Sequence, residues 1–441
     1  MRKKAKRMID KYGTPNPNVH GPSPNAMPTP PLTVPKITPP ATPAPSGPPP
    51  TASERFLRGA AKIMTTSWND NIFVWLPAIS TDPNAGPTYG ILPVFVHSDP
   101  VTHHIRQLLA PSYTYNSIFG QTGTGRYYFY PTDSSQLFVT GSYSQNVNHE
   151  VKARFEDSAF LGGRAFIRAE GQRTTDGSMR FFGIGPSTQS GDEAGYTMTQ
   201  TAARFAMGVN FLSNWRASAG LRYRRVEIGP NIVPDVSDLI TRYPGLVGIA
   251  AQNTVTQEVR ILWDTRDYPV TPTKGSSGEF FVEKTYQALG SVSHFVRYGA
   301  EGKRFFPWEN PNHVTVIHAV AERITGNDIP FYELPSLGGR ETLRAFGDGR
   351  LADRGRALFN IEHRITLTSL SMMGVQTKFE VAPFFDLGAV YPEVSEVRRQ
   401  DFWPVYGAAF RAVVTPNVVG AVDVGIGKEG PGVFVGINYP F

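Results

Sequence analysis

The chain contains no cysteine in its 441 residues. That absence excludes disulfide scaffolds, thiolate metal sites and cysteine nucleophiles. Long apolar runs are also missing, since no uninterrupted stretch approaches the roughly 18 residues of a membrane-spanning helix. A helical membrane protein is therefore excluded. A membrane barrel is not, because its strands alternate and are only half hydrophobic.

The motifs of common enzyme classes are missing as well. Gly302-Lys303 is followed by Arg304 rather than by serine or threonine, so there is no Walker A loop. Neither a HExxH zinc motif nor a G-x-S-x-G nucleophile elbow occurs. We therefore predict that the protein is not an enzyme and has no catalytic, cofactor-binding or metal-binding residues.

The net charge of +6 belongs to one end of the chain. Residues 1–50 hold seven basic residues and one acid, which leaves 36 residues of each sign in the rest. The body of the protein therefore has no electrostatic support for binding nucleic acid. The same 50 residues carry 15 of the 38 prolines and no apolar region of the kind found in a secretory signal peptide.

These shifts in composition divide the chain into three segments. Residues 1–53 are predicted to form a basic, Pro-rich disordered tail or linker, because they have little apolar surface to bury. Residues 54–87 are interpreted as a short amphipathic segment, helical over 54–64 after a Ser53 cap, and a lead-in to the next domain. Residues 88–441 are predicted to form a β-barrel.

Strict two-residue alternation supports the barrel. In the stretch from Phe359 to Leu367 every second residue is apolar or histidine, and the opposite set includes Glu362 and Arg364. Because charges of both signs gather on one face in strand after strand, we prefer a hydrated barrel interior to the polar face of a soluble β-sandwich. The chain ends on an apolar column expected to face lipid, with the last aromatic in an interfacial girdle: Val433, Val435, Ile437, Tyr439 and Phe441.

About sixteen candidate strands lie between Thr88 and Phe441, beginning near Tyr89–His97 and ending at Val433–Phe441. The predicted fold is all-β: a transmembrane antiparallel barrel of about 16 strands with a disordered Pro-rich tail. An even number of strands places both ends of the barrel on one side of the membrane. The glycine- and aspartate-rich connections at 183–196 and 229–253 suit external loops.

One long connection, residues 329–365, is rich in glycine and arginine and joins two strands. It contains Gly338-Gly339, then Arg344 and Phe346. With these residues the chain resembles the barrel domain of the BamA/TamA outer-membrane superfamily, the bacterial surface antigen family, whose sixth external loop carries Gly-Gly and Arg-Gly-Phe/Tyr. Further family-like strand motifs follow the same order: Asp264-Thr265-Arg266-Asp267, Asn360-x-Glu362-x-Arg364 and Phe384-x-Asp386-x-Gly388.

The resemblance implies three groups of site residues. Arg344 is expected to enter the lumen and meet Glu362 and Asp386, forming a lock between loop and lumen. The alternative is a solvated loop arginine, worth about 0–1 kcal/mol. The full sets are the loop–lumen lock (Arg344, Phe346, Glu362, Asp386, Gly338, Gly339), the strand motif (Asp264, Arg266, Asp267) and a terminal β-signal, read by assembly machinery, on the column that ends at Phe441.

The chain departs from the family pattern in two places. Arg-Gly-Phe is Arg344-Ala345-Phe346 here, which predicts a differently bent loop tip because alanine adopts positive φ less easily than glycine. Residues 1–87 are too short and proline-rich for a POTRA domain, which weakens the case for insertase activity.

Three functions therefore compete: outer-membrane protein or lipid assembly or translocation, a passive barrel or surface antigen, and, least favoured, a barrel enzyme. The implied partners are outer-membrane lipids, the assembly machinery during biogenesis, and protein or lipid clients.

Overall fold

The structure is a computed structural model that describes residues 65–68, 71–100, 104–268, 270–372, 375–414 and 418–441. The tail at 1–53 and the helix expected at 54–64 lie outside these residues. The chain is almost entirely β-structure, with strands β1 to β23. Their bounds are Thr65–Trp68, Asn71–Asp82, Gly86–Ser98, Ile105–Leu109, Ser112–Asn116, Gly120–Thr132, Ser135–Ser144, His149–Asp157, Ala165–Phe181, Ala194–Leu212, Trp215–Gly229, Ser237–Asp238, Gln252–Asp264, Gly275–Thr285, His294–Pro307, His313–Asn327, Ser336–Leu337, Leu351–Ala352, Gly355–Met372, Val375–Tyr391, Trp403–Val414, Val418–Gly427 and Gly430–Ile437.

Among the residues that the structure describes, helical structure is confined to short turns. Two four-residue helices, α1 (Phe160–Gly163) and α2 (Leu239–Arg242), lie in connections between strands. Five 3-10 turns cover Ser190–Asp192, Gln287–Leu289, Phe331–Glu333, Val394–Glu396 and Arg399–Asp401. Within the described ranges, no helix is long and apolar enough to cross a membrane.

The strands form one closed antiparallel barrel of 18 strands. Each long strand pairs with its neighbours in sequence, and β4 and β5 together occupy one position between β3 and β6. The expected count of about sixteen is slightly low, and the barrel begins at β2 rather than at residue 88. Pro77 interrupts the apolar pattern of β2, yet β2 pairs with β3 over its whole length. Proline is tolerated in edge strands, so β2 can form although Pro77 breaks its pattern. That break is why the alternation alone did not predict this strand.

The seam between the first and last barrel strands is weakly paired. Of the described residues, only Thr81 and Val435 pair across it. On its other side, β23 pairs with β22 along all eight of its residues. At the start of β2, residues 71–74 pair with β1. The barrel is thus closed by far fewer hydrogen bonds at the seam than between any two neighbouring long strands.

The alternation of side chains is confirmed strand by strand. On β13, Val259 is 55% exposed on the outside, whereas Glu258 is 4% exposed and faces inward. On β19, Phe359 is exposed, while Glu362 and Arg364 are buried in the interior. An apolar outer surface around a charged interior is what a bilayer requires of a barrel, since lipid solvates the outer residues and the lumen holds the charges.

The connections differ in length at the two ends of the barrel. The end that carries residues 181–194, 229–252 and 327–355 has the long loops, as expected for 183–196 and 229–253. The other end has mostly short turns, such as 132–135 and 212–215. By the usual asymmetry of such barrels, the long-loop end is extracellular and the end of β23 is periplasmic.

The last residues do not follow the predicted lipid-facing column. Val433 is 41% exposed and Phe434 is 2% exposed, so β23 begins as expected. Asn438 then adopts a left-handed conformation with φ 68°. The chain turns inward there, and Tyr439 and Phe441 lie inside the barrel. The prediction that these two aromatics face lipid is therefore wrong, because period-two alternation ends where the strand ends.

Candidate functional site: the loop inside the barrel

The connection between β16 and β19, residues 328–354, folds back into the barrel and is called the lumen loop here. A small hairpin, β17 with β18, forms its base through the pairs Ser336–Ala352 and Leu337–Leu351. Its apolar side chains pack against wall residues of β19 to β21 in one buried cluster: Leu337, Leu343, Ala345, Phe346, Leu351, Leu358, Phe384, Val390, Trp403 and Val405. The loop therefore has a core of its own and is a fixed part of the interior.

Gly338 and Gly339 make the sharp turn that points the loop inward. Both have positive φ, 125° and 84°. A Cβ on Gly338 would collide with the carbonyl oxygen of Gly347, and one on Gly339 would collide with the Asp348 carboxylate. Only glycine fits either position without strain.

Arg344 lies at the centre of the site and is fully buried. Its Nε and Nη2 donate to the two oxygens of Asp386 at 3.0 and 2.7 Å, and its Nη1 donates to Glu362 Oε2 at 3.0 Å. The backbone N–H of Arg344 also donates to Asp386, at 3.2 Å. The guanidinium lies 3.5 Å from the centre of the Phe384 ring. The structure thus brings the three expected residues together in a two-pronged, charge-assisted contact.

The acids that receive Arg344 belong to a larger charge cluster. Glu362 also accepts hydrogen bonds from Arg364 Nε at 2.7 Å and from both terminal nitrogens of Arg411 at 2.8 Å. Asp423 lies 3.6 Å from Arg344 Nη1 and 3.4 Å from Arg411 Nη2. Four strands, β19 to β22, supply these groups. Glu362 and Asp423 each lie beside more than one guanidinium, and Asp386 receives Arg344 through both of its oxygens, so each buried acid has a cationic partner.

Phe346 and Ala345 form the loop tip. The Phe346 ring packs edge-on against Trp403 with centroids 5.0 Å apart. Ala345 does not have a positive φ. The position therefore does not need glycine, and alanine can replace the family glycine without backbone strain. Ala345 sits against Gly432, where an added Cβ would come within 2.7 Å of the Ala345 backbone. The loop backbone at Ala345 can come this close to the wall because Gly432 of the wall has no side chain.

A second anchor was not foreseen from the sequence. Glu333 of the lumen loop is buried and accepts from Arg224 Nη1 at 2.7 Å and from Arg297 Nη2 at 2.7 Å. Arg222 Nη2 lies 3.8 Å away. Burial opposes ionisation of Glu333, but these arginines outweigh it and lower the pKa of its carboxyl to about 2. The sequence contains one indication of this anchor. Arg222 and Arg224 are two residues apart on β11, which places both side chains on the inner face of the barrel.

Arg340, also unforeseen, ties the loop to the end of the barrel. Its Nη1 and Nη2 donate to the carbonyl oxygens of Ile437 and Asn438 at 3.0 and 2.7 Å. Its Nε donates to Asp423 at 2.7 Å. The lumen loop therefore holds the chain at the point where β23 ends and turns inward.

The inward-turned end contacts the same charge cluster. The Tyr439 ring lies 3.5 Å from the Arg364 guanidinium, and its hydroxyl donates to Glu380 at 2.8 Å. Phe441 stacks on His318 at 4.8 Å between centroids and packs on Phe305, Val314 and Val316. The remaining residues of the expected terminal column, Val433, Val435 and Ile437, stay on β23.

The Asp264 motif lies elsewhere, in the periplasmic turn between β13 and β14. Asp264 accepts from Arg266 Nε and Nη2 at 3.1 and 2.9 Å. Asp267 accepts from the backbone N–H groups of Thr273 and Lys274. These acids therefore shape a turn and do not join the Arg344 cluster. The turn touches that cluster at one point, where Arg364 Nη1 reaches the carbonyl oxygen of Pro272 at 3.5 Å.

No group of three or more metal-ligating side chains stands together in the described part of the chain. The charged groups around Arg344 and Glu333 are paired with one another, and with Arg340 they fix the lumen loop and the end of β23 in place.

An antiparallel barrel with an apolar outer band, a charged lumen and an inserted external loop defines a class: the integral β-barrels of the outer membrane. The Omp85 superfamily domain matches residues 134–403, more than half of the chain. The chain belongs to the Omp85 superfamily. It is accordingly located in the outer membrane of a Gram-negative bacterium, where it interacts with outer-membrane components.

Several solved structures are similar to this chain. BamA from Haemophilus ducreyi lacking POTRA domains 1–3 has a TM-score of 0.50 at 14% identity, over 83% of this chain and 74% of that one. CdiB from Acinetobacter baumannii (0.44, 13%, 85% and 60%) and CdiB from Escherichia coli (0.48, 11%, 85% and 63%) are also similar. This chain therefore spans less than two thirds of either CdiB. No curated protein matches it.

Proposed function

We propose that this barrel handles protein or lipid substrates in outer-membrane assembly or translocation, without enzymatic chemistry of its own. The proposal rests on the unequal strand pairing around the barrel wall. Among the described residues, the seam between β2 and β23 has one residue pair, while Arg340 of the lumen loop donates to the carbonyl oxygens at the C-terminal end of β23. A barrel whose only role was to form a closed wall would be more stable with complete strand pairing at that seam. The loop–lumen lock through Arg344 is, in this proposal, a structural brace and not the moving part.

The test uses the absence of cysteine. Thr81→Cys with Val435→Cys places a disulfide across the seam, and Phe410→Cys with Val422→Cys places one between the paired, outward residues of β21 and β22 as a control. Each purified barrel is reconstituted into liposomes and scored for insertion of an unfolded client barrel and for ion conductance. We expect oxidation to abolish insertion in the seam variant alone, with recovery on reduction.

The second candidate, a passive barrel or surface antigen, is favoured by the dense pairing of the lumen charges. It predicts no insertion by the unmodified protein above protein-free liposomes. Insertion that continues unchanged with the seam oxidised would contradict the role given to the seam.

We also retain the terminal column as a proposed β-signal for assembly. Deleting Phe441 should lower the amount of folded barrel in the outer membrane and leave unfolded protein in the periplasm. Phe434→Leu is a suitable control, since it alters a buried aromatic of the same strand without touching the terminus. Normal levels of folded protein after the deletion would contradict this proposal.

A further inference from the structure

Two histidines meet on the outer wall of the barrel near its periplasmic end. His313 is the first residue of β16, and His363 lies on the neighbouring β19. In the register, His363 stands opposite Thr315 and His313 opposite Ile365, so the two histidines are diagonal neighbours on the outward face. Nδ1 of His313 and Nε2 of His363 are 3.0 Å apart. Neither residue takes part in the lumen site.

The second nitrogen of His363 is held by its own partner. Nδ1 of His363 lies 2.9 Å from the Thr315 hydroxyl, which also accepts from the indole N–H of Trp308 at 2.9 Å. The Trp308 ring packs edge-on against His363 at 5.2 Å. When Nδ1 of His363 donates to Thr315, the lone pair on its Nε2 points at His313. An imidazole held through one nitrogen by an oxygen, with the other nitrogen presented, is the arrangement that metal-ligating histidines adopt.

We propose that His313 and His363 form a two-histidine site for a borderline divalent cation such as Zn²⁺, Ni²⁺ or Cu²⁺. Zinc–imidazole bonds are about 2.0–2.1 Å long, and two of them at a tetrahedral angle separate the nitrogens by about 3.3 Å. The observed 3.0 Å therefore needs to open by about 0.3 Å, and both imidazole rings must tilt so that their lone pairs converge on the cation and no longer lie along the line between the two nitrogens. Imidazole selects these cations, whereas Mg²⁺ and Ca²⁺ take oxygen ligands.

The protons balance without a change in the charge of the protein. Before binding, one hydrogen lies between Nδ1 of His313 and Nε2 of His363. The cation takes its place, and His313 keeps a single hydrogen, on Nε2 instead of Nδ1. Both imidazoles remain neutral, and the site gains the charge of the metal. Water fills the other coordination positions, so we expect binding weaker than at a closed structural zinc site, where four protein ligands surround the ion.

The experiment titrates ZnCl₂ into the untagged full chain in detergent, by isothermal calorimetry. We expect one tightest site, weakened at least tenfold in His313→Ala and in His363→Ala. His149→Ala is the matched control, because His149 is an exposed histidine that stacks on Tyr143 and not on a second histidine, whereas His313 and His363 are half-buried. His363→Gln, which retains a polar group beside Thr315, replaces His363→Ala if that variant fails to show heat-modifiable mobility.

A second readout does not depend on affinity. With one equivalent of Cu²⁺, electron paramagnetic resonance should show coupling to two imidazole nitrogens in the unmodified protein and in His149→Ala, and to at most one in either site variant. Zinc binding and copper spectra that are unchanged by His313→Ala and His363→Ala would overturn the proposal.

Discussion

Two of the anchors of the lumen loop carry opposite charges. At one, the loop supplies a cation, Arg344, to the wall acids Glu362 and Asp386. At the other, it supplies an acid, Glu333, to the wall arginines Arg224 and Arg297. A buried charge is stable only with its partners, so each anchor holds the loop against a different side of the barrel. The loop is therefore attached on two sides of the lumen, and not only at its tip.

Removal of the cationic anchor should have the largest effect. Arg344→Ala leaves the buried Asp386 carboxylate without a cationic partner in the interior, which costs about 3–5 kcal/mol. Arg344→Lys should restore only part of this stability, because lysine lacks the planar fork that meets two oxygens of Asp386. The temperature at which the folded band disappears in SDS gels measures the change. Arg399→Ala, at an exposed arginine of another external loop, is the control. Equal melting temperatures for both variants would refute the clamp at this end.

Removal of the acidic anchor should have a smaller effect. Glu333→Gln keeps the shape and one acceptor oxygen but loses the charge that faces three arginines, at a cost of about 1–3 kcal/mol. The matched control is Glu396→Gln, at an exposed carboxylate on the same end of the barrel. A loss larger than that of Arg344→Ala would reverse the order proposed for the two anchors.

The acidic anchor should also respond to pH. The pKa of the Glu333 carboxyl falls from 4.5 to about 2 on folding. Its contribution is therefore complete above about pH 4.5 and is lost progressively as pH falls towards 2. The difference in melting temperature between the native protein and Glu333→Gln should shrink when measured at pH 7, 5 and 3. A difference that stays constant to pH 3 would show that the charge of Glu333 is not what holds the loop.

Replacement of Arg340 should have the smallest effect on stability, because Arg340 binds the end of β23 and does not pack in the apolar core of the loop. Arg340→Ala should free residues 438–441 from the interior, with little change in melting temperature. Carboxypeptidase digestion of the folded barrel measures this directly, and Phe441 and Tyr439 should be released faster than from Arg399→Ala. Unchanged protection would mean that the aromatic contacts of Tyr439 and Phe441 suffice to hold the end inside.

The two anchors also differ in how far the sequence predicts them. Arg344 is 18 residues from Glu362 and 42 from Asp386, and the alternation on β19 and β20 assigns both acids to the inner face. Glu333 and Arg224 are 109 residues apart, and no local pattern indicates which strands of a barrel lie across the lumen. Alternation therefore predicts which way a wall residue faces, while partners across the interior depend on the closure of the barrel.

The inward turn of the chain end illustrates the same limit. Alternation predicts the outward side chains of β23, including Val433, because a strand fixes them locally. The reversal at Asn438 depends on Arg340 and on a lumen surface built by distant strands. Similarly, β2 escaped prediction because its pattern contains Pro77, which the weakly paired edge at the seam accommodates.

A double-mutant cycle tests whether Arg344 clamps the lumen loop to the wall. Unfolding free energies are measured for the native barrel, Arg344→Ala, Asp386→Asn and the double variant. Because the two side chains share two charge-assisted hydrogen bonds in the interior, we expect a coupling energy of about 1.5–3 kcal/mol. Strict additivity of the two single changes would show that they do not interact, and would contradict the clamp.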